Sequence, residues 1–146
     1  MLSFEENDTY TVKWKGEDLE QFREPLAQRL IFMHPDFVVK IDNSPTLKWA
    51  SRQTAREIDF WETLRADKQH FAEILEFGRT PRGFWYIRQK RYEVDKGEVT
   101  QAHLETLCDL VFKYNIHDIL EDVIDGNGNW MVSKGEVIIY DWGCWT

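Results

Sequence analysis

Three places in the chain set side chains with chemical capacity into otherwise apolar patterns. The first is Lys40, within Phe37-Val38-Val39-Lys40-Ile41. A side-chain period of two puts Phe37, Val39 and Ile41 on one face of a strand, and Val38 with Lys40 on the other. A lysine so placed is either an edge residue reaching water or a buried cation awaiting an anion. The second is Glu57, which shares one side of a helix with Thr54, Ile58, Trp61 and Leu64. A carboxylate on a packed face requires a cation, and Lys40 is the nearest inward candidate in the order of elements. A boundary glutamate with its head in solvent is the other reading. The third is the C-terminal stretch, where Asn127 and Asn129 lie in a Gly-rich loop and Asp141 ends an apolar run. An Asp at a strand end, facing an Asn across a hairpin, offers the hard oxygen ligands that Mg²⁺ takes on phosphates. Asn-Gly and Asp-x-Gly are also ordinary loop formers.

The remaining reactive residue types are scattered. His34, His70, His103 and His117 show no paired or metal-type spacing, so structural or surface roles and no zinc site are expected. Cys108 and Cys144 stand far apart without an obvious base partner. No thiol catalysis is expected, and a reduced cytosolic setting is the economical reading. The turn Gly78–Gly83 carries Arg79 and Arg82, which suit either an anion grip or an ordinary exposed turn.

These residues need elements to hold them. Tyr10, Val12 and Trp14 alternate with polar neighbours, which predicts a strand over Tyr10–Lys15 broken by Gly16. Leu19–Glu24 and Arg29–His34 read as strands joined by a loop, because a helix over Leu19–Gln28 would enclose Pro25 at a cost of about 3 kcal/mol. His34-Pro35-Asp36 is a hairpin corner leading into a strand over Phe37–Asp42. A helix is predicted from about Trp49 to Arg65, then strands near Ile74–Phe77 and Gly83–Glu93. A second helix starts near Thr100, buries Leu104, Leu107, Cys108, Val111 and Tyr114, and reaches towards Leu120. The closing hairpin runs Asn129–Ser133, Lys134-Gly135, Glu136–Trp142. Antiparallel strands interrupted by two main helices make the expected class α+β, in a single domain spanning 1–146.

At 146 residues with 42% hydrophobic content, the chain can bury a sizeable core. No apolar run approaches the roughly 20 residues needed to cross a bilayer, and the acidic start Met1–Asn7 reads as no secretory signal. Eighteen basic against 26 acidic residues give a formal charge of −8. That disfavours direct nucleic-acid binding, which relies on cations to release counterions. The expected location is cytoplasmic, away from membranes.

In order, these pieces resemble the protein kinase-like superfamily. Val38-Val39-Lys40 looks like the third-strand lysine element, Glu57 matches the helix glutamate that pairs with that lysine, Asn129 looks like the catalytic-loop Asn, and Asp141-Trp142-Gly143 is similar to the D-F-G motif. Arg29–Lys40 looks like the small divergent kinase-like proteins of bacteria and their phages. The resemblance implies a kinase N-lobe followed by a helix, a catalytic-loop-like segment and a short β-hairpin, with the C-lobe largely absent. It implies ATP with Mg²⁺ as cofactors: Lys40 orients phosphates, Glu57 holds Lys40, Asn129 and Asp141 hold the metal, and backbone groups near Gln89–Arg91 meet adenine. Asp122 is the first choice for the base, with Asp118 and Asp125 as the other candidates.

Arg23–Gln28, where the family keeps a glycine-rich loop, contains no glycine, and three residues follow Gly143. The expected function is therefore a pseudokinase-like regulatory or inhibitory module that binds a host or cellular protein, in keeping with a phage-encoded origin. A minimal ATP-dependent phosphotransferase is the alternative. An acidic mimic of nucleic acid is a third reading, carried by net charge alone.

Overall fold

The computed structural model describes residues 1–6, 10–22, 29–42, 52–116 and 129–141. Its elements are β1 (Leu2–Glu6), β2 (Tyr10–Trp14), β3 (Glu17–Asp18), β4 (Glu20–Phe22), β5 (Leu30–Met33), β6 (Phe37–Ile41), α1 (Gln53–Thr63), β7 (Ile74–Arg79), β8 (Trp85–Lys90), α2 (Gln101–Tyr114), β9 (Trp130–Ser133) and β10 (Glu136–Ile139). Among the described residues the class is α+β, with antiparallel sheets, two α-helices and a short 3-10 turn at Lys68–His70. No helix of the described residues is long and apolar enough to cross a membrane.

The main sheet has five strands in the order β4-β5-β6-β8-β7, with every neighbouring pair antiparallel. β6 therefore lies at its centre. The alternation in β5 and β6 sends Leu30, Phe32, Phe37, Val39 and Ile41 to one face, where they bury against Leu2 and Val12 of the small sheet β1-β2-β3. The opposite face carries Ile31, Met33, Val38 and Lys40, as the register Ile31↔Lys40 and Met33↔Val38 requires. A second core joins Ile58 and Phe60 of α1 to Ile87 of β8, Leu107, Leu110 and Val111 of α2, and Val137, Ile138 and Ile139 of β10.

Two local devices set the site's framework. The backbone N–H groups of Thr54 and Ala55 donate to the Asp42 carboxylate at 2.8 and 3.2 Å. The residue before α1, Arg52, provides no side-chain cap, so the end of β6 caps the helix and fixes its start against the sheet. In the β9–β10 turn, Lys134 and Gly135 have φ of 49° and 78°, the two positive values that a tight two-residue hairpin needs. Asp95 accepts from both of their N–H groups at 2.8 Å, tying the segment after β8 to the hairpin.

Several boundaries differ from the sequence expectation. β1 was not anticipated, although Leu2 and Phe4 alternate with Ser3 and Glu5; it pairs along its whole length with β2. α1 is described from Gln53, because 43–51 lies outside the described residues. α2 stops at Tyr114, short of Leu120: Asn115 turns left-handed at φ 56° and its N–H closes back on Val111 O. Leu110 is buried on α2, whereas Leu104 and Cys108 are only half-buried.

Candidate functional site

Between the inner face of the five-stranded sheet and the β9–β10 hairpin lies a cleft of about 890 Å³, within the range of small-molecule sites. From the sheet, Ile31, Met33, Val38, Lys40 and Gln89 line it, with Arg29 just before β5. Lys90 at the end of β8 and the irregular segment after it, with Arg91, Tyr92 and Val94, add to it, and the hairpin side adds Asn129, Met131, Tyr140 and Asp141.

Lys40 is 5% exposed, because β6 is a central strand and has no free edge to offer it. The edge reading is thereby replaced by the buried one. Its Nζ donates to Tyr140 O at 2.7 Å. Burial lowers the pKa of the ammonium, and the charges of Glu57 and Asp141 pull it back up.

Glu57 is fully buried, which rules out a boundary glutamate. Nη2 of Arg29 lies 2.5 Å from Glu57 Oε1 and 3.2 Å from Asp141 Oδ1, and Nη1 donates to Thr54 Oγ1 at 3.1 Å. Arg29 is thus the cation in direct contact with Glu57, a role the sequence reading gave to Lys40. Lys40 acts on Glu57 through its charge. Burial raises the Glu57 pKa, and the charges of Arg29 and Lys40 oppose the rise. Burial also works against the Arg29 guanidinium, but Glu57 and Asp141 outweigh it and hold the pKa above its ordinary value. Sequence reasoning passed over Arg29. The available signal was parity, since Arg29 precedes Ile31 and Met33 at the same strand period.

Asn129 and Asp141 meet through the Asn129 backbone carbonyl. Asn129 O accepts from the N–H groups of Tyr140 and Asp141 at 2.9 and 3.3 Å, and both residues line the cleft. The Asp141 carboxylate, engaged by Arg29, and the Asn129 amide are oxygen donors of the kind Mg²⁺ takes, and would hold it only together with phosphate and water oxygens. Gln89 and Arg91 also reach the cleft. The backbone N–H of Arg91 donates to Asp36 O at 3.0 Å, and that of Lys90 to Glu73 O at 2.9 Å. These two donors serve the fold, so neither backbone N–H is open to a ligand, whereas the Gln89 side chain lines the cleft. Asp122, Asp118 and Asp125 lie outside the described residues, as does the 23–28 loop.

The cleft inverts the protein's charge. Among the described residues, Arg29, Lys40, Lys90 and Arg91 line it with one carboxylate, Asp141, and the buried Glu57 pairs with Arg29 behind them, in a chain of net charge −8. Low-dielectric walls carrying one sign of charge concentrate ligands of the other sign, so the arrangement suits an anion with an apolar body.

The histidines have structural work where they are described. His34 stacks on Phe37 with ring centroids 4.2 Å apart, His70 Nδ1 lies 2.9 Å from Val137 O, and His103 closes the capping box of α2. His117 lies outside the described residues. No family model, curated protein or solved structure matches this chain.

Proposed function

We propose that the chain is a kinase-like nucleotide-binding domain that acts mainly as a regulatory module on a cellular protein partner. The observation that carries this reading is the convergence of Lys40, the Arg29–Glu57 pair and Asp141 on one cationic cleft. The arrangement of elements supports it too. Lys40 sits on the third strand of the five-stranded sheet, Glu57 on the helix that follows, and Gln89 on the fifth strand, beside the third. That is the order the resemblance calls for.

On this reading a planar base lies among Ile31, Val38 and Met131, and the phosphates point towards Lys40 and Arg29. Magnesium, held by Asn129 and Asp141, would neutralise phosphate charge. Lys40 supplies a short-range donor to the phosphates, at the cost of its contact with Tyr140 O. Arg29 spans Glu57 and Asp141 and holds the carboxylates in register.

The ion pair of Asp141 with Arg29 favours binding over turnover, because it engages the carboxylate that would hold the metal. Phosphotransfer is the second reading, favoured by the meeting of Asn129 and Asp141 near Lys40. In it the γ-phosphoryl group of ATP passes to an acceptor hydroxyl, whose proton goes to Asp122, and ADP leaves.

Calorimetric titration with ATP, with and without Mg²⁺, tests the proposal. Saturable binding that Lys40→Met weakens at least tenfold is expected, with no labelled phosphate transferred to protein. The absence of binding by ATP and ADP under both conditions overturns it, and transfer that requires Asp122 moves the assignment to the enzyme.

A further inference from the structure

The inner wall of the cleft holds a polar group that the fold leaves unserved. Gln89 is 1% exposed, and its Nε2 has no hydrogen-bond partner. It stands opposite Val38 in the β6–β8 register, one step along the same face from Ile87, which is opposite Lys40. A buried amide normally has partners, and leaving one without them penalises the folded state. An apolar side chain of equal length would fill the same space without that penalty.

The neighbouring polar groups are committed elsewhere. Lys40 donates to Tyr140 O. Arg88, next to Gln89 in sequence, pairs with Glu76 at 2.6 Å. The backbone donors of Lys90 and Arg91 go to Glu73 and Asp36. Among the described residues of this wall, the Gln89 amide is therefore the free, directional group a ligand in the cleft meets, surrounded by apolar surface from Met33 and Val38.

We propose that Gln89 is the specificity-determining residue of the cleft, its side-chain amide pairing with the N6–H and N7 edge of an adenine base. The inference rests on the nucleotide-binding reading and deepens it. A primary amide offers a donor and an acceptor side by side. Adenine presents the complementary pair, so both amide atoms are satisfied at once. Guanine presents two acceptors on the same edge, O6 and N7, and leaves the amide oxygen facing a lone pair. The cleft consequently selects ATP over GTP, while inorganic tripolyphosphate engages only the cations.

Titration of the full chain with ATP, GTP, 7-deaza-ATP and tripolyphosphate tests this. ATP is expected to bind at least tenfold more tightly than GTP or 7-deaza-ATP, which carries C–H in place of N7. In Gln89→Met the ATP affinity falls to the GTP level, tripolyphosphate affinity stays unchanged, and the ligand-free melting temperature rises because the unserved amide is gone. Equal binding of ATP and 7-deaza-ATP by the wild type overturns the proposal without relying on a variant. Unaltered ATP affinity in Gln89→Met overturns it as well. Binding of tripolyphosphate without any nucleotide defeats the parent reading too, and is told apart because the cations still respond.

Discussion

Nη2 of Arg29 lies 2.5 Å from Oε1 of Glu57, fastening the start of β5 to the buried face of α1. The same nitrogen reaches Asp141 at 3.2 Å, so one guanidinium joins the sheet, the helix and the segment after β10. Burying two charges is repaid only when both partners are present.

Removing one partner should accordingly be costly. Arg29→Met and Glu57→Leu are each expected to lower unfolding stability by about 3–5 kcal/mol. The double variant should lose far less than the sum, since two apolar side chains then face one another. Urea denaturation of the four proteins gives the coupling, and additive losses would show that the pair carries no interaction energy.

Lys40 should behave differently from Arg29. Burial already disfavours its charge, and its hydrogen bond goes to a backbone carbonyl. Lys40→Met should therefore change stability by no more than about 1 kcal/mol, while ATP affinity falls at least tenfold. A large stability loss with unchanged ATP binding would make Lys40 a structural residue.

The raised pKa of Glu57 sets a pH dependence. A carboxyl whose folded pKa lies above its unfolded value of 4.5 contributes stability that is fully present below 4.5. That contribution is lost as pH rises through the folded value. The stability of wild type relative to Glu57→Gln should accordingly decline from pH 4.5 upwards and then level off. A difference that grows with pH would reverse the sign and show Glu57 to be stabilised in its ionised form.

Asp42→Ala should cost about 1–2 kcal/mol, the usual effect of losing a helix N-terminal cap. Both N–H groups it serves, on Thr54 and Ala55, lie in the first turn of α1, so amide exchange there should accelerate more than in α2. Uniform acceleration across both helices would argue against a local cap.

Asp141→Asn should abolish the gain in ATP affinity that Mg²⁺ gives the wild type, while metal-free ATP binding persists through Lys40 and Arg29. Paired titrations with Mg²⁺ and with chelator read this directly. Undiminished magnesium dependence in the variant would remove Asp141 from the metal site.

Much of this architecture is legible in the amino-acid sequence. Period-two alternation marked β5 and β6 and put Lys40 on the face opposite Val39. Helical spacing put Glu57 on the packed side of α1, and Lys134-Gly135 marked the last hairpin. Arg29 escaped notice because its meaning depends on Glu57 and Asp141, the latter 112 positions away. Gln89 was assigned to the cleft through family resemblance, but its unserved amide is visible only once every neighbour's partner is known.

The amino-acid order by itself determined the faces of strands and helices and the sites of tight turns, because each depends on side chains a few positions apart. Only the tertiary structure decided that β6 is a central strand, that Arg29 is Glu57's direct partner, and that four cations share a cleft with Asp141. Those outcomes turn on which distant segments lie side by side, and burial then converts that proximity into charge pairing.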